Sequence, residues 1–433
     1  MNARHRLSLE ASDKTIKPKK RRLLGLRRNA LTISITELIT GIGSFLTTPF
    51  WPLYALSLGA SMTSLGLLQM ISGLLGVFLM VPGGYLADKI GRKRPLVIGG
   101  FVAALGSILQ ALAQDWVQLI PGMILSAGLM MTWPARQSIV ADDLLPNERV
   151  TGFATFFTFM MLPSAIMPMI SGYIMDQHGL IAGMRASFIV AGILTFVSNL
   201  IKVRFLKETR TDLLKSDSHS ETRMRSLKII LADAFEPLSI RAVKTLFIGC
   251  SGVMLIFGLQ QSFSAVYAVE VIGLSKTEWG LVSASMGLVS LFIRIPLSRL
   301  VVRLGERRAI IISQFGRSAY PTAFALSINT PQLIFSGFGY TVAFNLGSPA
   351  FQALLTEVTP FEKRGRVYGL FGMIWGGIAS VSPTLAALMW EFWGAASAFH
   401  IASIAGALSS TYLLIFHDRI VTEEQMRLSL IHI

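Results

Sequence analysis

A charged turn lies between two long apolar runs at residues 83–95, where the chain reads GGYLADKIGRKRP. Gly83 and Gly84 allow close approach of another backbone. Asp88 is one acid among four bases, and Pro95 can start a following helix. This composition is typical of a joint or gate between two membrane helices rather than of a flexible linker.

The composition around this turn excludes a soluble globular protein. Hydrophobic residues make up 52% of the chain and charged residues 15%, and the mean hydropathy is +0.58. A helix needs about 20 apolar residues to cross about 30 Å of hydrocarbon, so a chain of 433 residues has room for about a dozen crossings. We predict an all-α polytopic membrane protein with twelve transmembrane helices in two six-helix bundles.

The apolar runs define the predicted organisation. The predicted spans are 31–56, 62–87, 96–113, 116–141, 152–175, 181–203, 245–268, 277–301, 309–328, 332–355, 367–389 and 395–416. They give a basic tail (1–30), an N-terminal bundle (31–206), a linker (207–243), a C-terminal bundle (244–416) and a short tail (417–433). In the linker, Leu227, Ile230, Leu231, Ala234 and Phe235 share one helical face, which predicts a short helix in the membrane interface.

The formal charge of +15 is explained by topology. Most Lys and Arg residues lie at the ends of apolar runs or in the N-terminal tail, which indicates a plasma (inner) membrane protein with both termini cytoplasmic. We expect no nucleic-acid partner. The single cysteine, Cys250, excludes an intramolecular disulfide and a cysteine metal cluster, and we expect no metal or cofactor.

The two halves of the chain are repeats. Tyr54 matches Tyr267, Pro82 matches Pro296, Gly91 matches Gly305, Pro134 and Gln137 match Pro349 and Gln352, Pro146 and Glu148 match Pro360 and Glu362, and Pro168 matches Pro383. The separation is 213 to 215 residues in every pair. A constant offset in several regions indicates duplication, and parallel six-helix repeats are a transporter architecture with the site between the halves.

On these residues the chain resembles the major facilitator superfamily from about residue 31 to 416. The segment 84–93 resembles the family signature between the second and third helices. The resemblance implies a gate formed by Gly84, Asp88, Gly91, Arg92 and Lys93, with Asp88 facing the start of the eleventh helix near Tyr368. The second-half copy has Val302 in place of the acid, so the gate is expected in one half. The alternative is that Asp88 only neutralises a basic loop.

Other signatures of the family are incomplete. Proton-driven drug exporters of this kind usually carry an Arg in the middle of the fourth helix, whereas residues 121–128 read PGMILSAG. Residues 167–172, which read MPMISG, keep only the proline and the last glycine of the fifth-helix signature. An exporter stays open as an interpretation, but these motifs do not establish one.

Ionisable side chains inside spans are functional hypotheses by default, because they are costly to bury. Glu37 in the first helix is a candidate for the cavity and for proton coupling. Its alternative role is an ion pair, with Arg136 as the partner. Arg294 could face the cavity, contact an anionic substrate or pair with Glu357. Arg317 lies in a helix that is peripheral in the family, so we expect it to bond backbone carbonyls within its own bundle.

Neutral polar residues are the strongest candidates for the substrate cavity. Thr47 and Thr48 occupy the repeat positions of Gln260 and Gln261, in two helices that face each other across the cavity in the family. The remaining cavity candidates are Asn345, Tyr267 and Trp375.

These patterns predict a secondary active transporter, not an enzyme, that moves a small organic solute by alternating access. The chain has no nucleotide-binding loop, and His400 is the only histidine in a predicted span. Drug or metabolite efflux, uptake of sugars or organic anions, and a transporter-like sensor without flux all stay open. The expected partners are the solute, the lipid bilayer and, as one option, protons. The expected oligomeric state is a monomer.

Overall fold

The computed structural model describes residues 26–144, 149–208, 236–359 and 363–420. The first half contains α1 (Arg28–Thr47), α2 (Trp51–Ser57), α3 (Met62–Ile90), α4 (Lys93–Leu112), α5 (Leu119–Met131), α6 (Trp133–Asp143), α7 (Arg149–Met161), α8 (Met167–His178) and α9 (Leu180–Phe205). The second half contains α10 (Arg241–Val266), α11 (Lys276–Leu304), α12 (Glu306–Ala325), α13 (Thr330–Glu357), α14 (Arg364–Trp393) and α15 (Ser397–Ile415). The predicted interfacial helix near Leu227 lies outside the described residues.

Prolines break three of the first-half spans. Pro49 lies in a 3-10 turn, Thr48–Phe50, that separates α1 from α2. Pro134 lies in the first turn of α6, and Pro163 lies in the 3-10 turn between α7 and α8. A proline lacks the N–H of a helical hydrogen bond, so each break occurs where the ladder cannot continue. The bend expected at Pro49 is therefore present.

The repeat is visible in the backbone. Each half has a helix of 29 residues, α3 and α11, followed by one of 20 residues, α4 and α12. Gly91 and Gly305 end the longer helices with φ of 92° and 81°. This conformation favours glycine strongly, so equivalent positions of both halves need the same residue. The predicted duplication accounts for this agreement.

Nine helical segments of the described residues are long and apolar enough to cross a membrane. The helices outside this group are α5 with α6, α12 and α13. α5 and α6 are short, at 13 and 11 residues, and the two longer helices carry polar groups such as Arg317 in α12 and Asn345 in α13. The all-α membrane fold is confirmed, while the number of twelve spans stays a prediction.

The helix ends define two faces of the molecule. The short-turn end carries the turns near residues 58–61, 113–118, 272–275 and 326–329. The basic end carries Arg92 and Lys93 in the first half and Arg307 and Arg308 in the second. A single hydrophobic core, with Phe50 and Phe263 among its members, joins both halves at the short-turn end. At the basic end each half has its own core, around Phe156 in the first and Phe371 in the second. The buried cores of the two bundles are therefore continuous at the short-turn end, whereas at the basic end the described residues form a separate core in each bundle.

Candidate functional site

The interface between the bundles contains a cavity of about 400 Å³. The first half contributes residues of α1, α7 and α8 and of the turns between helices, and the second half contributes α10, α11, α12 and α13. The lining combines aromatic and methionine side chains with small polar groups. The first-half members are Phe45, Thr48, Pro49, Met161, Ser164 and Pro168, and the second-half members include Phe257, Gln260, Trp279, Met286, Phe344 and Asn345.

Three predicted cavity residues meet here. Thr48 is exposed to the cavity. Asn345 donates to the Ser290 hydroxyl at 3.0 Å and to the Thr341 carbonyl oxygen at 2.9 Å. The Oε1 atom of Gln260 is buried and has no hydrogen-bond partner among the described residues. A buried acceptor without a partner is costly, so Gln260 is suited to receive a donor from a bound molecule.

A second cavity, of about 370 Å³, lies within the first half. Thr47 and Gln69 line it, and Thr48 lines both cavities. Trp51 donates its indole N–H to Gln110 Oε1 at 2.8 Å, and the Gln110 amide donates to the Ser126 hydroxyl at 3.1 Å. The predicted pair at positions 47 and 48 is thus divided, with Thr47 in this cavity. The Gln261 side chain lies outside the described part of the structure.

Tyr267 and Trp375 lie away from the inter-bundle cavity. Tyr267 is 6% exposed, donates to the Ala325 carbonyl oxygen at 2.9 Å and packs against Phe399. Tyr54, its repeat counterpart, donates to the Gln110 carbonyl oxygen at 3.0 Å. The pair is explained by packing at the short-turn end. Trp375 lines a small cavity inside the second half instead.

Glu37 is the centre of a buried ion cluster inside the first bundle. Its carboxylate is 2.5 Å from Arg136 Nη1 and 3.3 Å from Lys202 Nζ. All three side chains are less than a tenth exposed. The cluster pairs one acid with two bases, so it carries a net positive charge. Glu37 lines neither of the two cavities described above, and its contacts are those of the ion pair with Arg136 that the sequence left open.

The two arginines of the second half, Arg294 and Arg317, lie in different surroundings. Arg294 is exposed, and its guanidinium lies over the ring of Phe157 in the other half at 5.9 Å. Arg317 is 9% exposed and faces the small cavity that Trp375 also lines. The Nε atom of Arg317 is buried without a partner, and the described residues show no backbone carbonyl bonded to this side chain, so the expected carbonyl bonds stay a prediction.

The turn at residues 84–93 is held within the first bundle. Arg92 contacts Asp142, and Lys93 Nζ donates to the Val203 carbonyl oxygen at 2.8 Å. The backbone N–H groups of Arg92 and Lys93 both donate to the Glu208 carboxylate at 3.0 Å. Glu208 therefore caps the first turn of α4. Gly84 and Asp88 lie in the last turns of α3, and their side-chain positions lie outside the described part.

Two equivalent contacts close the short-turn end. Asp176 of α8 accepts from the Lys276 and Thr277 N–H groups and from the Thr277 hydroxyl at 2.6 to 3.1 Å. Glu391 of α14 accepts from the N–H and hydroxyl of Thr63 at 3.0 and 2.7 Å. Each acid caps the first turn of a helix in the other half. We call Asp176 and Glu391, with their partners, the acid caps.

Sequence reasoning missed Lys202, Glu208 and the acid caps as site residues. The repeat carried a signal for the caps, because Asp176 and Glu391 are 215 residues apart and Thr63 and Thr277 are 214 apart. Lys202 lies at the end of an apolar run, where membrane topology alone explains a basic residue. Nothing in the sequence therefore singled it out. The sequence around Glu208 carried no such signal.

Comparison with known proteins agrees with this geometry. The Major Facilitator Superfamily profile matches residues 33–344 and 261–426. The multi-drug resistance efflux pump PmrA of Streptococcus pneumoniae is 23% identical over 392 residues, covering 87% of this chain and 93% of PmrA. The multidrug resistance protein MdtG of Rahnella is 24% identical over 399 residues, covering 89% and 92%.

Solved structures share the fold. A crystal structure of the peptide transporter POT superposes with a TM-score of 0.75 at 16% identity, covering 93% of this chain and 96% of that one. The nucleoside transporter NupG gives a TM-score of 0.71 at 12% identity, covering 89% and 99%. The profile match spans most of the chain, both halves included. The chain therefore belongs to the Major Facilitator Superfamily of membrane transporters.

Proposed function

We propose that this protein is a secondary transporter that exports small amphipathic organic solutes by alternating access. The observation that carries the proposal is the inter-bundle cavity, which both repeats line and which a shared core closes at the short-turn end. A site between repeats that separate at one end is what alternating access needs. The relatives PmrA and MdtG, described as drug-resistance proteins, support export.

The chemistry of the cavity favours amphipathic cargo. Phe45, Phe257 and Phe344 provide apolar rings, and Met161 and Met286 provide flexible, polarizable side chains that adapt to different shapes. Gln260 and Asn345 supply a small number of polar contacts. A mainly apolar pocket with a few polar groups is typical of small-molecule sites.

We place the basic end on the cytoplasmic side of the plasma membrane, because cytoplasmic loops are enriched in Lys and Arg. The conformation described above then faces inward. We propose a monomer in the bilayer. Its two bundles comprise residues 31–206 and 244–416, with a linker at 207–243 and tails at 1–30 and 417–433. Protons are the proposed coupling ion, and Glu37 is the buried carboxyl that would carry them.

In this proposal, the turn at residues 84–93 acts as a gate in the outward-facing state, in which the basic end is closed. The described side-chain bonds of Arg92 and Lys93 lie within the first bundle. When the basic end closes, Asp88 would reach the first turn of α14 and be stabilised by the positive end of that helix.

The proposal is tested by drug accumulation in cells that express the protein. We expect lower steady-state tetracycline accumulation than in cells without it, and recovery of accumulation when a protonophore collapses the proton gradient. Thr48→Trp fills the junction of the two cavities and should abolish the difference. Leu408→Trp, at a position 67% exposed on α15, is the matched control and should keep it.

Two outcomes would contradict the proposal. The first is equal accumulation with and without the protein for tetracycline and for a panel of cationic, neutral and anionic amphipathic compounds. The second is full export by Thr48→Trp, which would remove the inter-bundle cavity from the transport path. Expression and membrane insertion of each variant are checked by gel filtration of the purified protein.

A further inference from the structure

Arg317 is a buried cation without a counter-ion among the described residues. It lies eleven residues after Glu306, the start of α12, and therefore about 16 Å along the helix. Its side chain is 9% exposed, and no ion pair or hydrogen bond to it is present in the described ranges. Removing one partner from a buried ion pair is strongly destabilising, so an unpaired guanidinium at this depth needs an explanation.

No fixed acid compensates this charge. The helices packed against α12 are α10, α11, α13 and α15. Among their described residues, the acids lie at helix ends: Glu278 at the start of α11 and Glu357 at the end of α13, with Glu306 at the start of α12 itself. Arg317 instead lies over the Phe344 ring at 5.3 Å. A cation–π contact offsets only part of the cost of desolvating the guanidinium.

The cavity in front of Arg317 is built for a polar guest. It measures about 150 Å³ and is lined by α10, α12, α13 and α14. Gln314, 3% exposed, lies one turn before Arg317, and its Oε1 atom is buried without a partner, as is Arg317 Nε. Ser313, Ser348 and Gln352 also line it, and no carboxylate does. At about 30 Å³ per water, the volume would hold about five waters or one carboxylate group with room to spare.

Phe344 lies between this cavity and the inter-bundle cavity. The Phe344 ring lines both the small cavity and the inter-bundle cavity. A molecule whose apolar part lies in the larger cavity would place a head group beside Arg317 once the Phe344 side chain moves aside. Guanidinium groups bind carboxylates through two parallel hydrogen bonds, which fixes the orientation of the bound group.

We propose that Arg317, with Gln314 and Phe344, forms a subsite for the carboxylate head group of the transported solute. This rests on the proposed function, since it names the charge class of the cargo. The subsite makes carboxylate-bearing amphipathic compounds the preferred substrates. A free small anion such as chloride would satisfy the same guanidinium, so the test separates the two sources.

The test measures binding rather than flux, so its failure is distinguishable from failure of transport. Purified full-length protein in nanodiscs is titrated at pH 7.5 with benzoate, with benzamide as the neutral analogue of the same shape, and with chloride at constant ionic strength. We expect benzoate to bind at least tenfold more tightly than benzamide, since a charge-assisted pair is worth more than a neutral contact.

Single-residue variants show which side chains contribute to benzoate binding. Arg317→Gln should weaken benzoate binding by about tenfold or more and leave benzamide unchanged. Arg317→Lys, which keeps the charge but not the two-pronged geometry, should retain part of the preference. Arg303→Gln removes one positive charge from an exposed position near the end of α11 and should match the wild type.

Three results would overturn the proposal. They are equal binding of benzoate and benzamide to the wild type, undiminished benzoate binding in Arg317→Gln, and chloride binding without benzoate binding. The last would assign the cavity to a free inorganic anion. If Arg317→Gln does not fold, the comparison of benzoate, benzamide and chloride on the wild type still decides the question.

Discussion

Glu37 is the residue on which two buried bases depend. Arg136 and Lys202 are 7% and 5% exposed, and both contact the same carboxylate. Arg136 also donates to the Leu129 carbonyl oxygen at 3.2 Å and lies over the Trp133 ring at 5.1 Å, so its guanidinium has other support. For Lys202, Glu37 is the charged partner that the structure shows.

We predict that Glu37→Gln is much more destabilising than Lys202→Gln. The first change leaves two buried cations without an acid and should cost about 3–5 kcal/mol. The second leaves the Glu37 and Arg136 pair intact, and its effect should be smaller. Melting temperatures of the purified variants measure the difference, and equal losses would contradict the structural role of Glu37.

The same position tests proton coupling. A coupling carboxyl must release and bind a proton during the cycle, so Glu37→Gln should abolish the pH dependence of transport in the molecules that still fold. Transport with wild-type pH dependence in Glu37→Gln would limit Glu37 to the ion cluster. Lys202→Gln serves as the comparison, because it keeps the carboxyl.

At the scale of elements, the ends of α3 and α11 are a natural comparison. Gly91 and Gly305 have the same left-handed backbone, but a Cβ atom on Gly91 would be 2.6 Å from the Glu208 carboxylate. At Gly305 no described residue lies within 4 Å of such an atom. The close contact exists because Glu208 reaches across the turn to cap α4. The first-half turn is therefore packed, and the second-half turn is open.

We predict that Gly91→Ala lowers stability more than Gly305→Ala. Both changes incur the cost of a strained backbone, about 1–3 kcal/mol. Only Gly91→Ala also displaces the Glu208 cap, which should cost about 0.5–2 kcal/mol more. Thermal unfolding of the two variants and of Glu208→Gln checks this, and equal shifts for the two glycines would show that the cap contributes nothing.

The proposed latch of Asp88 is also a property of helix ends. Asp88→Asn keeps the size of the side chain but removes the charge that a helix N-terminus would stabilise, worth about 0.3–1 kcal/mol or more when partly buried. We expect a normally inserted protein with reduced transport. Unchanged transport by this variant would leave Asp88 as a local counter-charge to the basic turn.

At the scale of the whole molecule, one hydrophobic core joins the two bundles at the short-turn end, while among the described residues each bundle has its own core at the basic end. The acid caps are the polar part of this closure, and the shared core is the apolar part. In the proposed inward-facing state, the inter-bundle cavity opens toward the end where the cores are separate. Opening the other side therefore requires both caps to break.

We predict that Asp176→Asn combined with Glu391→Gln shifts the population toward the state open at the short-turn end. Each cap should be worth about 0.5–2 kcal/mol, so losing both moves the equilibrium by a factor of about five or more. Spin labels at Gln114 and Ile328, introduced in a Cys250→Ser background, should report longer distances by double electron–electron resonance. The single variants should lie between, and an unchanged distance distribution would refute the role of the caps.

The sequence alone determined the class of the protein, because composition, span length and repeat offset depend on the chain and the bilayer. The apolar runs required membrane helices, and the constant offset near 214 residues required two equivalent halves. The family followed from the motif around Gly91. These features are local or periodic, so they can be read without knowing what packs against what.

Only the tertiary structure decided which side chains contact each other. Glu37 and Lys202 are 165 residues apart, and Asp176 and Thr277 are 101 apart. No local pattern states which side chains share a depth in the bilayer. For the same reason the sequence placed Tyr267 in the cavity.

The turn at residues 84–93 illustrates both what the sequence determined and what the tertiary structure decided. Its motif could be recognised from the sequence because glycine content and charge are local properties of the chain. Its partner Glu208 lies 116 residues away along the chain, so this contact depends on how the start of α4 packs against the segment that follows α9. Sequence therefore sets the parts of this transporter, and tertiary packing sets which of its two ends is closed.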